Sequence, residues 1–158
     1  MAHISSIVYQ PTEYPDGGRE SDYIRVPLQS AALIANHGIE GDMKAGHHPE
    51  RQLNVLSQEW LNRAAAQGYR TAPGQFGEQI IITGMEVVEL ASGTRLQLGD
   101  QAVIEVVKGR TGCTRFEAAQ GKKIGDLGAL GILARVITTG TVAVGDPVKV
   151  VESVSARS

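Results

Sequence analysis

The chain of 158 residues carries 15 lysines and arginines against 17 aspartates and glutamates, a formal net charge of −2. That balance excludes a global positive field of the kind that gathers nucleic acid. The length suits one domain, 1–158, large enough to bury a core without staples, and no run approaches the roughly eighteen uncharged apolar residues of a membrane span. One cysteine cannot close an intramolecular disulfide, which fits a reducing cytoplasm. The opening Met1-Ala2-His3-Ile4-Ser5-Ser6 has neither the basic nor the long apolar stretch of a signal peptide.

Residues 3–9, with Ile4, Ile7 and Val8, read as a first short strand, and the turn-rich segment 11–20 follows. Ile24, Val26 and Leu28 then alternate with Tyr23, Arg25 and Pro27, a half-buried strand. Pro27 has no N–H to donate, which places that strand at an edge. An apolar run over 31–35 leads to an Asn36-His37-Gly38 turn. Segment 38–51 is long, polar and glycine-bearing, and includes the adjacent pair His47 and His48. Loops of that length are uncommon in compact domains unless they perform a function. Adjacent histidines point different ways and have no matching ligand cluster, so the better functional reading is an anion-facing loop with Arg51 as its forked donor. The plain alternative is a solvated turn.

Residues 52–56 read as a strand with Leu53 and Val55 on one face and Asn54 and Leu56 on the other. Ser57 is placed to cap a helix over 58–67, whose apolar stripe is Trp60, Leu61, Ala64 and Ala65, with Gly68 just past its end. A Pro73-Gly74 turn feeds a buried strand at Ile80-Ile81-Ile82, with Phe76 plugging the core from the turn, and 85–90 form a further short run. Two strands flank Gly99-Asp100 within 96–104, a hairpin signal. Phe116-Glu117-Ala118-Ala119 allows one helical turn, and 121–131 is glycine-spaced without the P-loop signature. Strands over 132–138 and 141–151 close the domain, and a polar tail follows from 152. Roughly nine or ten short strands and one substantial helix, at this spacing, predict a mainly β class, an antiparallel barrel or sandwich.

The sole cysteine lies in Val106-Val107-Lys108-Gly109-Arg110-Thr111-Gly112-Cys113-Thr114-Arg115. A strand-like run over 102–107 delivers the chain into a loop where Gly109 and Gly112 permit positive φ and close approach. Lys108, Arg110 and Arg115 favour the thiolate, the form that attacks electrophiles or binds metal. The alternative is a buried cysteine acting as a small hydrophobe.

Several separated pieces, in order, resemble the MOSC domain family, named for the carboxy-terminal domain of molybdenum cofactor sulfurase. They are Gly38-Ile39-Glu40-Gly41-Asp42, a histidine, Arg51-Gln52-Leu53-Asn54-Val55-Leu56-Ser57 with Glu59, and Pro73-Gly74-Gln75-Phe76-Gly77-Glu78-Gln79-Ile80 followed by Gly84. The Gly99-Asp100 turn, Arg110-x-x-Cys113, Gly131-Ile132-Leu133-Ala134-Arg135-Val136, Gly140 and Gly145-Asp146 complete a resemblance over about 33–150. The chain departs from the family pattern at Gly112, commonly proline, at Gln79, commonly asparagine, and at His48-Pro49-Glu50, which is His-Gly-Gly in larger members.

The resemblance implies a closed or partly open β-barrel with one substantial helix and short helical turns. It implies a functional Cys113 that either carries a persulfide received from a pyridoxal-phosphate cysteine desulfurase or ligates molybdenum in a pterin cofactor (molybdopterin) that reduces N-hydroxylated compounds. Arg51, Arg110, Lys44 and His48 would then meet the anionic phosphate or pterin, with Gly77, Thr111 and Gly112 beside it. Glu78 either joins that set or only holds its loop through backbone N–H groups. Surface ion pairs are the alternative for the arginines. No cluster of cysteines can carry electrons, so the expected partners are an electron-donor protein or a desulfurase and a small-molecule substrate. The competing expectation is a binding module without chemistry.

Overall fold

Period-two alternation of Ile, Val and Leu builds most of the elements of this chain, because one face of each strand must leave water. A computed structural model describes residues 2–10, 26–42, 45–46, 49, 51–69, 71, 76–111 and 129–152. In chain order these form β1 (His3–Tyr9), β2 (Val26–Pro27), β3 (Ser30–Ile34), β4 (Gly38–Ile39), β5 (Leu53–Ser57), α1 (Gln58–Ala66), β6 (Ile80–Thr83) and a 3-10 turn (Val87–Glu89). They continue as β7 (Arg95–Leu98), β8 (Ala102–Thr111), β9 (Ala129–Thr138), β10 (Gly140–Ala143) and β11 (Val148–Glu152). Among the described residues no helix is long and apolar enough to cross a membrane.

Eight strands form one sheet in the order β11-β7-β8-β9-β5-β6-β1-β2, with β2 and its Pro27 at the edge as expected. The far end of β1 turns back towards β11: the Val148 N–H donates to the Ala2 carbonyl at 3.0 Å and the Ile4 N–H to the Asp146 carbonyl at 2.9 Å. The sheet is therefore curled into a partly open barrel, and the small sheet β10-β3-β4 lies beside it. Among the described residues all pairings are antiparallel except β5 with β6, which run parallel. A parallel pair needs a crossover rather than a hairpin, and α1 lies in that connection. The purely antiparallel reading is corrected there.

Ile4, Leu33, Leu53, Val55, Ile80, Ile82, Leu96, Ile104, Val106, Ile132 and Val136 fill the barrel. On the outer side, Trp60, Leu61 and Ala64 of α1 pack with Leu56, Ile81, Leu130, Tyr69 and Phe76. Phe76 is fully buried and meets Trp60 edge-on, ring centroids 5.4 Å apart, so it plugs the outer cluster rather than the barrel. Three local expectations change. Ala65 is exposed and leaves the apolar stripe. Ser57 is the N-cap residue, yet its hydroxyl donates to the Met85 carbonyl at 2.5 Å and accepts from Val87 N–H at 2.8 Å instead of capping α1. That tie bends 85–90 into a bend and a 3-10 turn rather than a strand.

Candidate functional site

The strand that leads to Cys113 is longer than its apolar pattern announces. β8 continues through Lys108, Gly109 and Arg110 to Thr111, paired with β9 throughout. Gly109 is therefore not a loop glycine: its φ is not positive, and a Cβ there would stand 3.9 Å from Ala129 Cβ, an ordinary contact. An irregularity in the register between Val106 and Lys108 sets the outcome. Val106 is in the barrel, but after the bulge Lys108 pairs with Leu133, Gly109 with Ile132 and Arg110 with Gly131. Since Ile132 faces the interior, its neighbours Gly131 and Leu133 face out, and cross-strand partners share a face. Lys108 and Arg110 thus both lie on the outer face.

Two rows cross that face. The first runs Arg110, Gly131, Leu56 and Ile81, from β8 to β6. Gly131 has no room for a side chain: a Cβ would overlap the Val55 carbonyl oxygen and stand 2.8 Å from Leu56 Cδ1. Arg110 beside it is half-buried, with Nη1 fully out of water, and is already engaged in an interaction of its own. The second row runs Lys108, Leu133, Asn54 and then Gln79. Asn54 Oδ1 in this row is buried and, among the described residues, accepts no hydrogen bond. A buried acceptor without a donor costs about 1–3 kcal/mol, so this oxygen has unused capacity for one.

Gly77 and Glu78 enter at the β6 end of these rows. Gly77 has φ +73°, a left-handed turn that favours glycine. Glu78 is 1 % exposed, and its Oε1 accepts the Phe76 N–H at 3.2 Å, so the carboxylate holds the loop. Gln79 does more than the sequence indicates. Its Oε1 accepts Asn54 N–H at 2.7 Å, its Nε2 donates to Asp42 Oδ2 at 2.9 Å, and Asp42 Oδ1 accepts Gln10 N–H at 2.9 Å. This buried lattice ties β1, the β4 turn, β5 and the entry to β6, and the long glutamine reaches across it.

Arg51 is exposed ahead of β5. Leu53 pairs with Ala134, and Gln52 Oε1 accepts Val136 N–H at 2.8 Å. Arg51 therefore lies near the far end of β9, roughly 16 Å along the strand from the level of Arg110. The structure brings Arg110 and Asn54 onto adjacent rows of one face and sets Arg51 apart from Arg110. Thr111 is the last residue of β8. Cys113, Gly112, Lys44 and His48 lie outside the described residues. Among the described residues, no three His, Cys, Asp or Glu side chains converge as a metal cage. Asn54 Oδ1 and the barrier at Gly131 were not legible in advance. The only sequence signal was that Asn54 shares a strand face with Leu56, opposite Leu53 and Val55.

Further along the outer face, Glu105 of β8 sits between Arg95 of β7 and Arg135 of β9. It accepts from Arg135 Nε at 2.8 Å and Nη2 at 2.6 Å, and from Arg95 Nε at 3.1 Å. Burial by itself would raise the Glu105 pKa, but the hydrogen bonds from Arg135 and Arg95 outweigh it and hold the carboxyl below its ordinary value of 4.5. A depressed carboxylate stabilises the fold fully above the unfolded value and loses that contribution as pH falls through the folded one. Glu105→Gln is expected to lower the melting temperature by about 2–4 °C at neutral pH, from a loss of about 1 kcal/mol across partly exposed arginines. The gap between wild type and variant should close as the pH drops below 4.5. Thermal melts across pH check this; a gap that is constant down to strong acid would refute it.

The family profile described as MOSC domain matches residues 42–149. No curated protein matches the chain. Among solved structures, the YuaD protein of Bacillus subtilis superposes with a TM-score of 0.73 at 18 % identity, covering 98 % of each chain. YiiM of Escherichia coli gives 0.69 at 24 % identity over 98 % of this chain and 72 % of its own. YiiM of Geobacillus stearothermophilus gives 0.68 at 19 % identity over 96 % and 76 %. At these identities the structures speak for the shared barrel, and the profile, spanning most of the barrel and the segment that holds Cys113, places this chain in the MOSC domain family.

Proposed function

We propose that Cys113 is a reactive thiolate serving molybdenum–sulfur chemistry, first as the protein ligand of a molybdenum–pterin cofactor. The observation that carries this reading is the outer face just before the cysteine, where half-buried Arg110 and the donorless Asn54 Oδ1 occupy adjacent rows. The residues fit such a group on chemical grounds. A metal that arrives with its own pterin ligands needs one soft protein donor rather than a cage, and a single cysteine supplies it. Bound there, a molybdenum–pterin group supplies two-electron redox chemistry, with N-hydroxylated compounds as the substrate class.

In this reading the Cys113 sulfur would hold the metal and Arg110 would meet the anionic phosphate or pterin. Asn54 Oδ1 would accept an N–H of the pterin, and Gly77 with Glu78 would shape the β6 end of the face. Lys44, His48, Thr111 and Gly112 belong to the same proposed set, and Arg51 serves a more distant part of it. Electrons would come from a separate donor protein.

The same thiolate allows sulfur carriage. It attacks the terminal sulfur of a desulfurase persulfide, the S–S bond of the donor breaks, the donor thiolate leaves, and Cys113 keeps the sulfane sulfur as a persulfide. Metal and pterin analysis of protein purified from a cofactor-making host, with intact mass on the same sample, separates the readings. One molybdenum and one pterin per chain is the expected result. An adduct of roughly +32 Da without molybdenum would replace cofactor binding by sulfur carriage. Neither would leave the binding-module reading in its place.

A further inference from the structure

The outer face of β7, β8 and β9 carries a concentration of cations that the net charge of −2 hides. Arg95, Glu105 and Arg135 share one row, Lys108 stands in the next and Arg110 in the one after. Glu152 flanks Arg95 from β11, its Oε1 4.0 Å from Arg95 Nε. Four cations and two carboxylates thus occupy one continuous patch of sheet, a local excess opposite in sign to the whole chain.

The geometry of Glu105 sharpens the patch. Both of its oxygens are used, and it fixes the Nε edge of each arginine. The arginine side chains remain 36 % and 44 % exposed, and Lys108 is exposed. Among the described residues no other acid reaches Lys108 or the Nη groups of Arg95. Guanidinium groups held in place lose little freedom when they take a carboxylate, which is how a docking face gains specificity.

We infer that this face docks an acidic surface of another protein, with Arg95, Arg135 and Lys108 taking its carboxylates. Charge complementarity argues for a protein over a nucleic acid. Glu105 and Glu152 sit among the cations, so a continuous phosphate backbone would meet repulsion, whereas spaced carboxylates can alternate with them. The patch runs into the row of Arg110, three residues before Cys113. That the docked protein serves Cys113 rests on the function proposed above; the docking itself does not.

The test uses full-length protein, fluorescence anisotropy and labelled poly-L-glutamate as the probe, with a single-stranded oligonucleotide of matched charge beside it. Poly-L-glutamate should bind more tightly than the oligonucleotide, and its affinity should fall about tenfold as salt rises from roughly 0.05 M to 0.3 M. The double variant Lys108→Gln with Arg135→Gln should weaken binding about tenfold, while Arg63→Gln on α1 changes it less than about twofold. Lys108→Gln alone breaks no ion pair among the described residues and keeps the test valid should the double variant melt early. Cys113→Ser should bind as wild type, which separates failure of this inference from failure of the cysteine reading. Equal weakening by Arg63→Gln, an oligonucleotide that binds as tightly, or no effect of Lys108→Gln would overturn it.

Discussion

Replacing Cys113 with serine is expected to remove molybdenum and pterin from protein purified out of a cofactor-making host, and to remove any added sulfur from its mass spectrum. The loss should be complete rather than partial. A serine hydroxyl stays protonated at neutral pH and offers a hard oxygen where a soft thiolate is needed. Since the chain has one cysteine, thiol titration reads this group alone. The ordinary thiol value is about 8.5, and Lys108, Arg110 and Arg115 close by in sequence should bring it lower. A value at or above the ordinary one removes the activated thiolate. Retention of the cofactor by Cys113→Ser removes the cysteine from its site.

Gly131→Ala is expected to be the most destabilising small substitution on the candidate face. The added methyl would collide with the Val55 carbonyl oxygen of the adjacent strand and lie 2.8 Å and 3.0 Å from Leu56 Cδ1 and Cγ. The Val55 oxygen belongs to backbone between β9 and β6 and cannot swing aside, so β5 and β9 must part. Overpacking of this kind costs about 3 kcal/mol, which for a domain of this size lowers the melting temperature by about 6–12 °C. Gly109→Ala is the matched control. Its methyl would meet Ala129 Cβ at 3.9 Å and the Gly131 carbonyl at 4.0 Å, so its melting temperature should stay within about 2 °C of wild type. If both variants melt alike, the close approach of β5 to β9 at Gly131 is wrong.

Much of the fold was legible because its signals are local. Alternation at Leu53 and Val55, the branched run at Ile80-Ile81-Ile82, the Gly99-Asp100 turn and the stripe of Trp60, Leu61 and Ala64 each lie within a few residues of one another. Where the reading failed, a distant group had intervened. Ser57 bonds Met85 and Val87, some thirty residues on, and so turns an apolar run into a 3-10 turn. Gly109, in a glycine-bearing segment beside basic residues, looks like a loop residue; β9 draws it into the sheet. Gln79 differs from the family asparagine by one methylene, yet that length is what joins Asn54 to Asp42.

The amino-acid order by itself determined the mainly β class, the helix after Ser57, the family resemblance and the chain's one thiol. Only the tertiary structure decided which side chains share a face. A strand's alternation says that neighbours point opposite ways, not which way is out, and one bulge after Val106 reverses the assignment for Lys108, Gly109 and Arg110. Hence Arg110 and Asn54 come onto adjacent outer rows, Arg51 is set a strand's length away, and Arg95, Glu105 and Arg135 become one charged row from three separate strands.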